Sequence, residues 1–373
     1  MLKRIIFISA LFFLFSLTVC AVETSASSAV LMEAQSGEII YQKNPHVRRS
    51  MASTTKIMTS LLALENADLS REFKVTGDML KVEGTSMGLL DGDSVSFGDL
   101  VYGMLLQSGN DAANVTALKL CGSIEEFAKL MNARAKQIGM ENTNFVTPSG
   151  LDDDNHYSTA YDMALLACEA IGNADFRKIC SASSARVSYG NPPYMRTLTN
   201  HNKLLVSLDG CFGIKTGFTK KSGRCLVSAC RRNDVTLVCV TLNDPNDWYD
   251  HKNLYDYGFS KVSSKTLETS DYSISVAGGT SDHVRCVMNS TPTVAVDDVS
   301  DVRSKVFLKL RLFAPVKKGE TVGRVVYFKG SKELLSVPLI CETDVAARER
   351  RSTQATPEKE SLKERLKKFL FKN

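Results

Sequence analysis

Twice along this chain the hydrophobic period changes, and the order of the changes leaves few ways to arrange its layers. Residues Ala29 to Ala34 and Glu38 to Gln42 read as strands on either side of a Gln35-Ser36-Gly37 turn, which predicts a hairpin. From Ser53 to Leu64 the period becomes helical, with Ile57, Met58, Leu61, Leu62 and Leu64 on or near one face. Helical patterns follow at Phe97–Leu106, Ala112–Leu120, Ile124–Ile138 and Ser158–Ala170. Strand patterns then return at Gly213–Gly217, Arg224–Cys230 and Val235–Leu242, before an amphipathic segment, Asp247–Tyr257. Strands at both ends of a helical middle predict an α/β (α+β) domain whose antiparallel sheet is assembled from the two ends of the segment.

Beyond this region the texture changes again. Short β-rich runs between 264 and 345 (Ser273–Val276, Thr293–Val296, Val306–Phe313, Gly323–Phe328, Leu335–Cys341) are separated by Gly, Pro, Asp and Ser, as in a small all-β domain. The expected layout is a leader over residues 1–21, a catalytic-sized domain over 22–262 and an all-β domain over 263–345. A charged linker over 346–357 and a last helix over 358–373 follow.

The formal charge of +5 sits at the two ends. Residues 1–21 hold Lys3 and Arg4 and no acid, and residues 346–373 hold nine basic and four acidic residues, so the body between them is mildly acidic. A phosphate-tracking groove, and with it a nucleic-acid partner, is disfavoured. Lys3 and Arg4, the apolar run Ile5–Val19 and the small-residue site Val19-Cys20-Ala21 read as an export signal. An uncleaved anchor needs a longer apolar span, and a lipid-modified Cys20 is disfavoured by bulky Val19 before it. Nine cysteines remain after cleavage, scattered through helical and strand patterns as small hydrophobes. Cys225 and Cys230, five apart on one strand, face opposite sides and cannot share a zinc. A disulfide scaffold is not expected, and many free thiols in an exported chain point to surroundings poor in oxidant.

Three short elements carry chemistry. Ser53-Thr54-Thr55-Lys56 opens the first helix, and a spacing of three puts the Lys56 amine within reach of the Ser53 hydroxyl. A lysine can take a serine proton only if burial or a neighbouring cation lowers its pKa. Alone, this pattern also arises by chance. Ser108-Gly109-Asn110 lies between two helical patterns, where it can aim side chains into a cleft or merely cap the helices. Lys215-Thr216-Gly217 ends a strand, where a cation and a hydroxyl could bind a carboxylate, or the lysine could simply face solvent. Metal-ligand spacings are missing among the five histidines, and no Gly-x-Ser-x-Gly elbow supports a Ser-His-Asp hydrolase. His156 reads as a packed loop residue. Neither a metal nor any other cofactor is expected.

In this order and on these elements, the three motifs resemble the active-site set of penicillin-binding proteins and serine β-lactamases. Asn155-His156-Tyr157-Ser158-Thr159-Ala160-Tyr161-Asp162, Thr199-Asn200-His201-Asn202-Lys203-Leu204-Leu205 and Asp256-Tyr257-Gly258-Phe259 are similar to segments of the low-molecular-mass D-alanyl-D-alanine carboxypeptidases of the S11 peptidase family. The resemblance runs from about Ala29 to Phe259, and the β-domain and basic tail match the family's layout. It implies a serine β-lactamase/transpeptidase-like fold and removal of the terminal D-alanine from a peptidoglycan stem peptide, with β-lactams as covalent inhibitors. Carried over residue by residue, Ser53 is the nucleophile, Lys56 the base and Ser108 a proton relay, with Asn110 holding Lys56 and the substrate amide. Lys215 and Thr216 hold the terminal carboxylate beside Gly217, and the backbone N–H groups of Ser53 and Phe218 form the oxyanion hole.

Two departures stand out. Many family members have a His before the Gly-Leu of the loop that here reads Thr147-Pro148-Ser149-Gly150-Leu151, and many have an Arg where this chain has Asp247 beside Trp248. The second would remove a positive charge near the carboxylate pocket. Among alternatives, a β-lactamase is disfavoured by the lack of a Glu-x-x-Leu-Asn loop and by Gly109 in the second motif. A catalytically weak, penicillin-sensing wall-binding module would be expected to lack Ser53 or Lys56. In the tail, Leu362, Leu366, Phe369 and Leu370 share one face and Lys363, Arg365, Lys367, Lys368 and Lys372 flank or oppose it. That pattern predicts a helix lying on an anionic membrane surface at the outer face of the cytoplasmic membrane.

Overall fold

A computed structural model describes residues 22–296, 299–349 and Lys367. The leader expected over 1–21, most of the 346–357 linker and, apart from Lys367, the tail helix expected over 358–373 lie outside the described residues. The chain divides into two compact units at Lys265/Thr266, with Ala295 and Val296 belonging to the first.

In the first unit the hairpin forms as the alternation predicts. Strand β1 (Ser28–Glu33) pairs with β2 (Ile39–Lys43), and the C-terminal strands β7 (Cys211–Thr219), β8 (Gly223–Arg232) and β9 (Val235–Leu242) complete an antiparallel sheet in the order β2-β1-β9-β8-β7. The strand from the start of the unit thus lies against one from its end, Ala29 opposite Thr241. Strand β8 is buried on both sides. Cys225 and Val227 join one core and Leu226 and Cys230 the other, so the two cysteines do face apart.

Helices α1 (Lys56–Asn66), α2 (Phe97–Leu105), α3 (Asn110–Cys121), α4 (Ile124–Ile138), α5 (Ala160–Gly172) and α6 (Ala174–Cys180) pack into the larger core. Helix α8 (Asp247–Lys261), which follows a single turn α7 (Leu204–Ser207), covers the opposite face through Leu254 and Tyr255. In α1, Ile57, Met58, Leu61 and Leu62 are all buried. Each contributes about 1.5–3 kcal/mol, which offsets the cost of burying Lys56 in the same helix.

Three features differ from the sequence expectation. The first helix begins at Lys56 rather than Ser53, because Ala52 takes a left-handed conformation (φ 49°) and residues Ala52–Thr55 form a tight 3-10 turn. The Thr54 N–H and hydroxyl both donate to the Met51 carbonyl there. A second sheet, β3-β4-β5-β6, forms from β3 (Glu72–Lys74), β4 (Ser94–Ser96), β5 (Ser184–Gly190) and β6 (Pro193–Thr199), none of which the hydrophobic pattern signals. Most of its β5–β6 hairpin is exposed; Val187, Tyr189 and Leu198 supply its buried apolar side chains. The expected strand Val306–Phe313 is divided into Val302–Leu308 and Leu312–Phe313.

The second unit is all-β, as expected. Its six-stranded sheet runs in the order Val302–Leu308, Thr321–Lys329, Lys332–Cys341, His283–Met288, Tyr272–Ala277, Leu312–Phe313. Among the described residues no helix is long and apolar enough to cross a membrane.

Candidate active site

The three motifs converge on one cleft of about 330 Å³, lined by Ser53, Ser108, Thr216, Gly217 and Phe218 together with Thr85, His201, Lys203, Arg224, Asp247 and Trp248. Each motif arrives on a differently constrained backbone. Ser53 sits in the 3-10 turn after left-handed Ala52, so its side chain leads directly into α1 and Lys56. Ser108 itself adopts φ 61°, a conformation uncommon outside glycine, which turns its hydroxyl toward Lys215. Gly109 then caps α3, whose first residue is Asn110.

Lys56 is fully buried, and its Nζ has three neighbours: Ser53 Oγ at 2.9 Å, Asn110 Oδ1 at 2.6 Å and the Ser149 carbonyl at 2.8 Å. Burial, and after it the charge of Lys215, lowers its pKa well below that of an ordinary lysine, against a smaller opposing pull from Asp111. The neutral amine has two N–H donors and one lone pair. Two carbonyl acceptors take the donors, and the lone pair is left for the Ser53 hydroxyl. Asn110 is held in turn, its Nδ2 donating to the Glu83 carbonyl at 2.7 Å and its main-chain N–H to the Thr85 carbonyl at 2.7 Å.

Lys215, on the edge strand β7, is also buried, and burial lowers its pKa to about 7. Its Nζ donates to Ser108 Oγ at 3.0 Å and to the Thr216 carbonyl at 2.8 Å, so it stands behind Ser108 rather than on the cleft wall. Gly217 meets the nucleophile turn closely. A Cβ there would lie 3.1 Å from the Ser53 and Thr54 nitrogens and the Met51 carbonyl, so glycine lets the β7 main chain pass beside the Ser53 N–H.

The Asp247 departure has a different outcome from the one its charge suggests. Asp247 is buried and accepts from one Arg224 nitrogen with both oxygens, at 2.8 and 2.9 Å. Burial raises its pKa and Arg224 opposes that rise. Arg224, on β8 opposite Phe218, also lies over the Trp248 ring at 5.5 Å and lines the cleft. The cleft therefore keeps a cation, supplied from a strand.

Residues around the three motifs hold the site in place. Asp111 gathers the 86–89 loop, accepting from the Met87, Gly88 and Leu89 N–H groups and from Ser86 Oγ. His156 is buried, as expected of a packed residue, with a pKa lowered by burial to about 4. Its Nδ1 accepts from Val146 and Thr147 N–H, which leaves Nε2 to donate to Thr55 Oγ1 at 2.8 Å, so it ties the Thr147–Leu151 loop to the residue beside Lys56. Within that loop, Ser149 is buried and its hydroxyl has no hydrogen-bond partner among the described residues.

Comparison with known proteins gives the family. Residues 16–246 match the D-alanyl-D-alanine carboxypeptidase family of peptidases, and residues 251–347 match the C-terminal domain of penicillin-binding protein 5. The D-alanyl-D-alanine carboxypeptidase DacF of Bacillus subtilis is 29% identical over 334 residues, covering 86% of each chain. DacA of Haemophilus influenzae is 31% identical, covering 87% of this chain and 86% of its own. The crystal structure of penicillin-binding protein 5 from Haemophilus influenzae superposes with a TM-score of 0.64 at 29% identity, over 87% of this chain and 98% of that one. A cleft built on Ser53, Lys56, Ser108 and Lys215, in a chain matched along both units, places this protein in the D-alanyl-D-alanine carboxypeptidase family of penicillin-binding serine peptidases.

Proposed function

We propose that the chain removes the terminal D-alanine from a peptidoglycan stem peptide through an acyl-enzyme on Ser53. The observation that carries this reading is the placing of Lys56 Nζ between two carbonyl acceptors and the Ser53 hydroxyl. The Ser53 oxygen attacks the carbonyl between the two D-alanines as its proton passes to Lys56. Ser108 relays that proton from Lys56 to the departing amine, aided by the neighbouring charge of Lys215, which returns Lys56 to its neutral form. The developing oxyanion receives the N–H groups of Ser53 and Phe218, each such donor being worth about 3–4 kcal/mol. Thr216 and Arg224 receive the terminal carboxylate, and Lys215 adds its charge from behind. Water then hydrolyses the ester, with Lys56 as its base. Penicillin acylates the same serine.

Diacetyl-lysyl-D-alanyl-D-alanine should lose D-alanine to the purified chain and not to Ser53→Ala; release by the variant would refute the assignment. Mass spectrometry of the penicillin adduct over time tests the same serine, and rapid turnover of the adduct would favour a β-lactamase. The leader-like residues 1–21 and the amphipathic pattern of 358–373 support an exported enzyme bound peripherally to the outer face of the cytoplasmic membrane.

A further inference from the structure

In the second unit, strands His283–Met288 and Lys332–Cys341 run antiparallel with Cys286 directly opposite Cys341. The hydrogen-bond pattern identifies the kind of pair. Glu342 N–H donates to the Arg285 carbonyl, so the neighbouring residues Arg285 and Glu342 form the hydrogen-bonded rung. Cys341 turns its own N–H to the Glu320 carbonyl and its carbonyl to the Gly319 N–H, both away from Cys286. Cys286 and Cys341 are therefore a non-hydrogen-bonded pair, the rung whose Cα atoms approach to about 4.5 Å. That spacing falls within the range a disulfide spans. Both side chains are buried on the same side of the sheet, so the two thiols face one another across the rung.

Cys286 and Cys341 are free thiols in the structure; we infer that they are a disulfide site, closed when the exported protein meets a disulfide oxidant, in contrast to the oxidant-poor surroundings that the many free thiols suggest. One thiolate attacks the oxidant's S–S bond, forming a mixed disulfide and releasing one thiol. The second thiolate then attacks the mixed disulfide and releases the other thiol. The pair loses two protons and two electrons, and the oxidant is reduced to two thiols. Burial raises both thiols, Cys341 to about 11, so few thiolates exist in the finished sheet, and the exchange belongs to folding, before the strands cover the pair.

Elsewhere the thiols are arranged differently. Cys211 also stands opposite Cys230, but there both thiols turn onto main-chain carbonyls, of Gly213 and Asp209, whereas in the second unit only Cys286 does so, onto the Val284 carbonyl at 3.6 Å. The link would lie wholly within the second unit, apart from the catalytic cleft. Its existence does not depend on the carboxypeptidase reading.

The test uses the full chain exported into an oxidising compartment, alkylated without reduction, digested and mapped by mass spectrometry. A Cys286–Cys341 linked peptide with the other seven mature cysteines alkylated is expected. Alkylation of both Cys286 and Cys341, even when the protein is refolded with oxidised glutathione, would overturn the inference, as would a link from either one to a different cysteine. In thermal unfolding, the wild-type transition of the second unit should fall when reductant is added. Cys286→Ser should already show the lower transition and be unaffected by reductant. D-alanine release by the linked and reduced forms should be equal.

Discussion

Two buried lysines serve one cleft, and burial drives the pKa of both down. Lys56 lies well below the ordinary lysine value and Lys215 at about 7. The proposed reaction needs Lys56 neutral and Lys215 charged. Raising the pH deprotonates Lys56 and so switches the base on, and passing about 7 discharges Lys215. A bell-shaped kcat/KM profile follows, with its alkaline limb near pH 7 in the free enzyme. A bound carboxylate favours charged Lys215, so the same limb in kcat should lie at higher pH. Lys215→Arg, which keeps its charge, should lose the limb; a kcat/KM limb at the ordinary lysine pKa would contradict the assignment of the limb to Lys215. Arg224→Ala tests the carboxylate contact. Charged hydrogen bonds contribute about 1.5–3 kcal/mol, so kcat/KM for the peptide should fall roughly tenfold to a hundredfold, mostly through KM. A peptide amidated at its C-terminus should be much less affected. Ser53 and Lys56 were legible because their spacing is local to one helical turn. Arg224 and Asp247 were not: they are 23 positions apart, and the packing of α8 on β8 brings them together.

At the scale of elements, the site depends on close approaches that glycine allows. Gly217→Ala would push β7 from the nucleophile turn, since its Cβ meets main-chain atoms at 3.1 Å. Penicillin acylation should slow about a hundredfold, the order expected of a displacement near 1 Å, with little change in melting temperature. Gly150 is under a harsher constraint, with φ 85° and a Cβ position 1.9 Å from the Ala52 carbonyl. Gly150→Ala should lower the melting temperature as well as the acylation rate, because the loop that holds Lys56 and the turn that holds Ser53 cannot both keep their places. An unchanged acylation rate in either variant would count against this coupling. The long amphipathic helices and the hairpin were visible in the sequence because their apolar side chains recur on one face. The β3-β4-β5-β6 sheet was hidden because so few of its side chains are buried, and the 3-10 turn because helical periodicity does not register a left-handed residue just before it.

For the whole molecule, the sequence separated an enzyme from an all-β unit through a change in texture, but pairings such as Cys286 with Cys341 arise from strand register and cannot be read from spacing. Removing residues 358–373 should release the protein from vesicles containing anionic lipid while leaving D-alanine release intact, as sedimentation and a peptide assay would show. Full retention on the vesicles would refute the anchor. The position of β1 inside the sheet, between β2 and β9, sets a schedule for assembly. A chain made from its N-terminus delivers β1 among its first strands and β9 only after the whole helical middle. Until then β1 has one neighbour, and the catalytic cleft, whose β7 wall also comes late, does not exist. The peptidase is therefore silent while it is being made, and becomes competent only when its last strands close over its first.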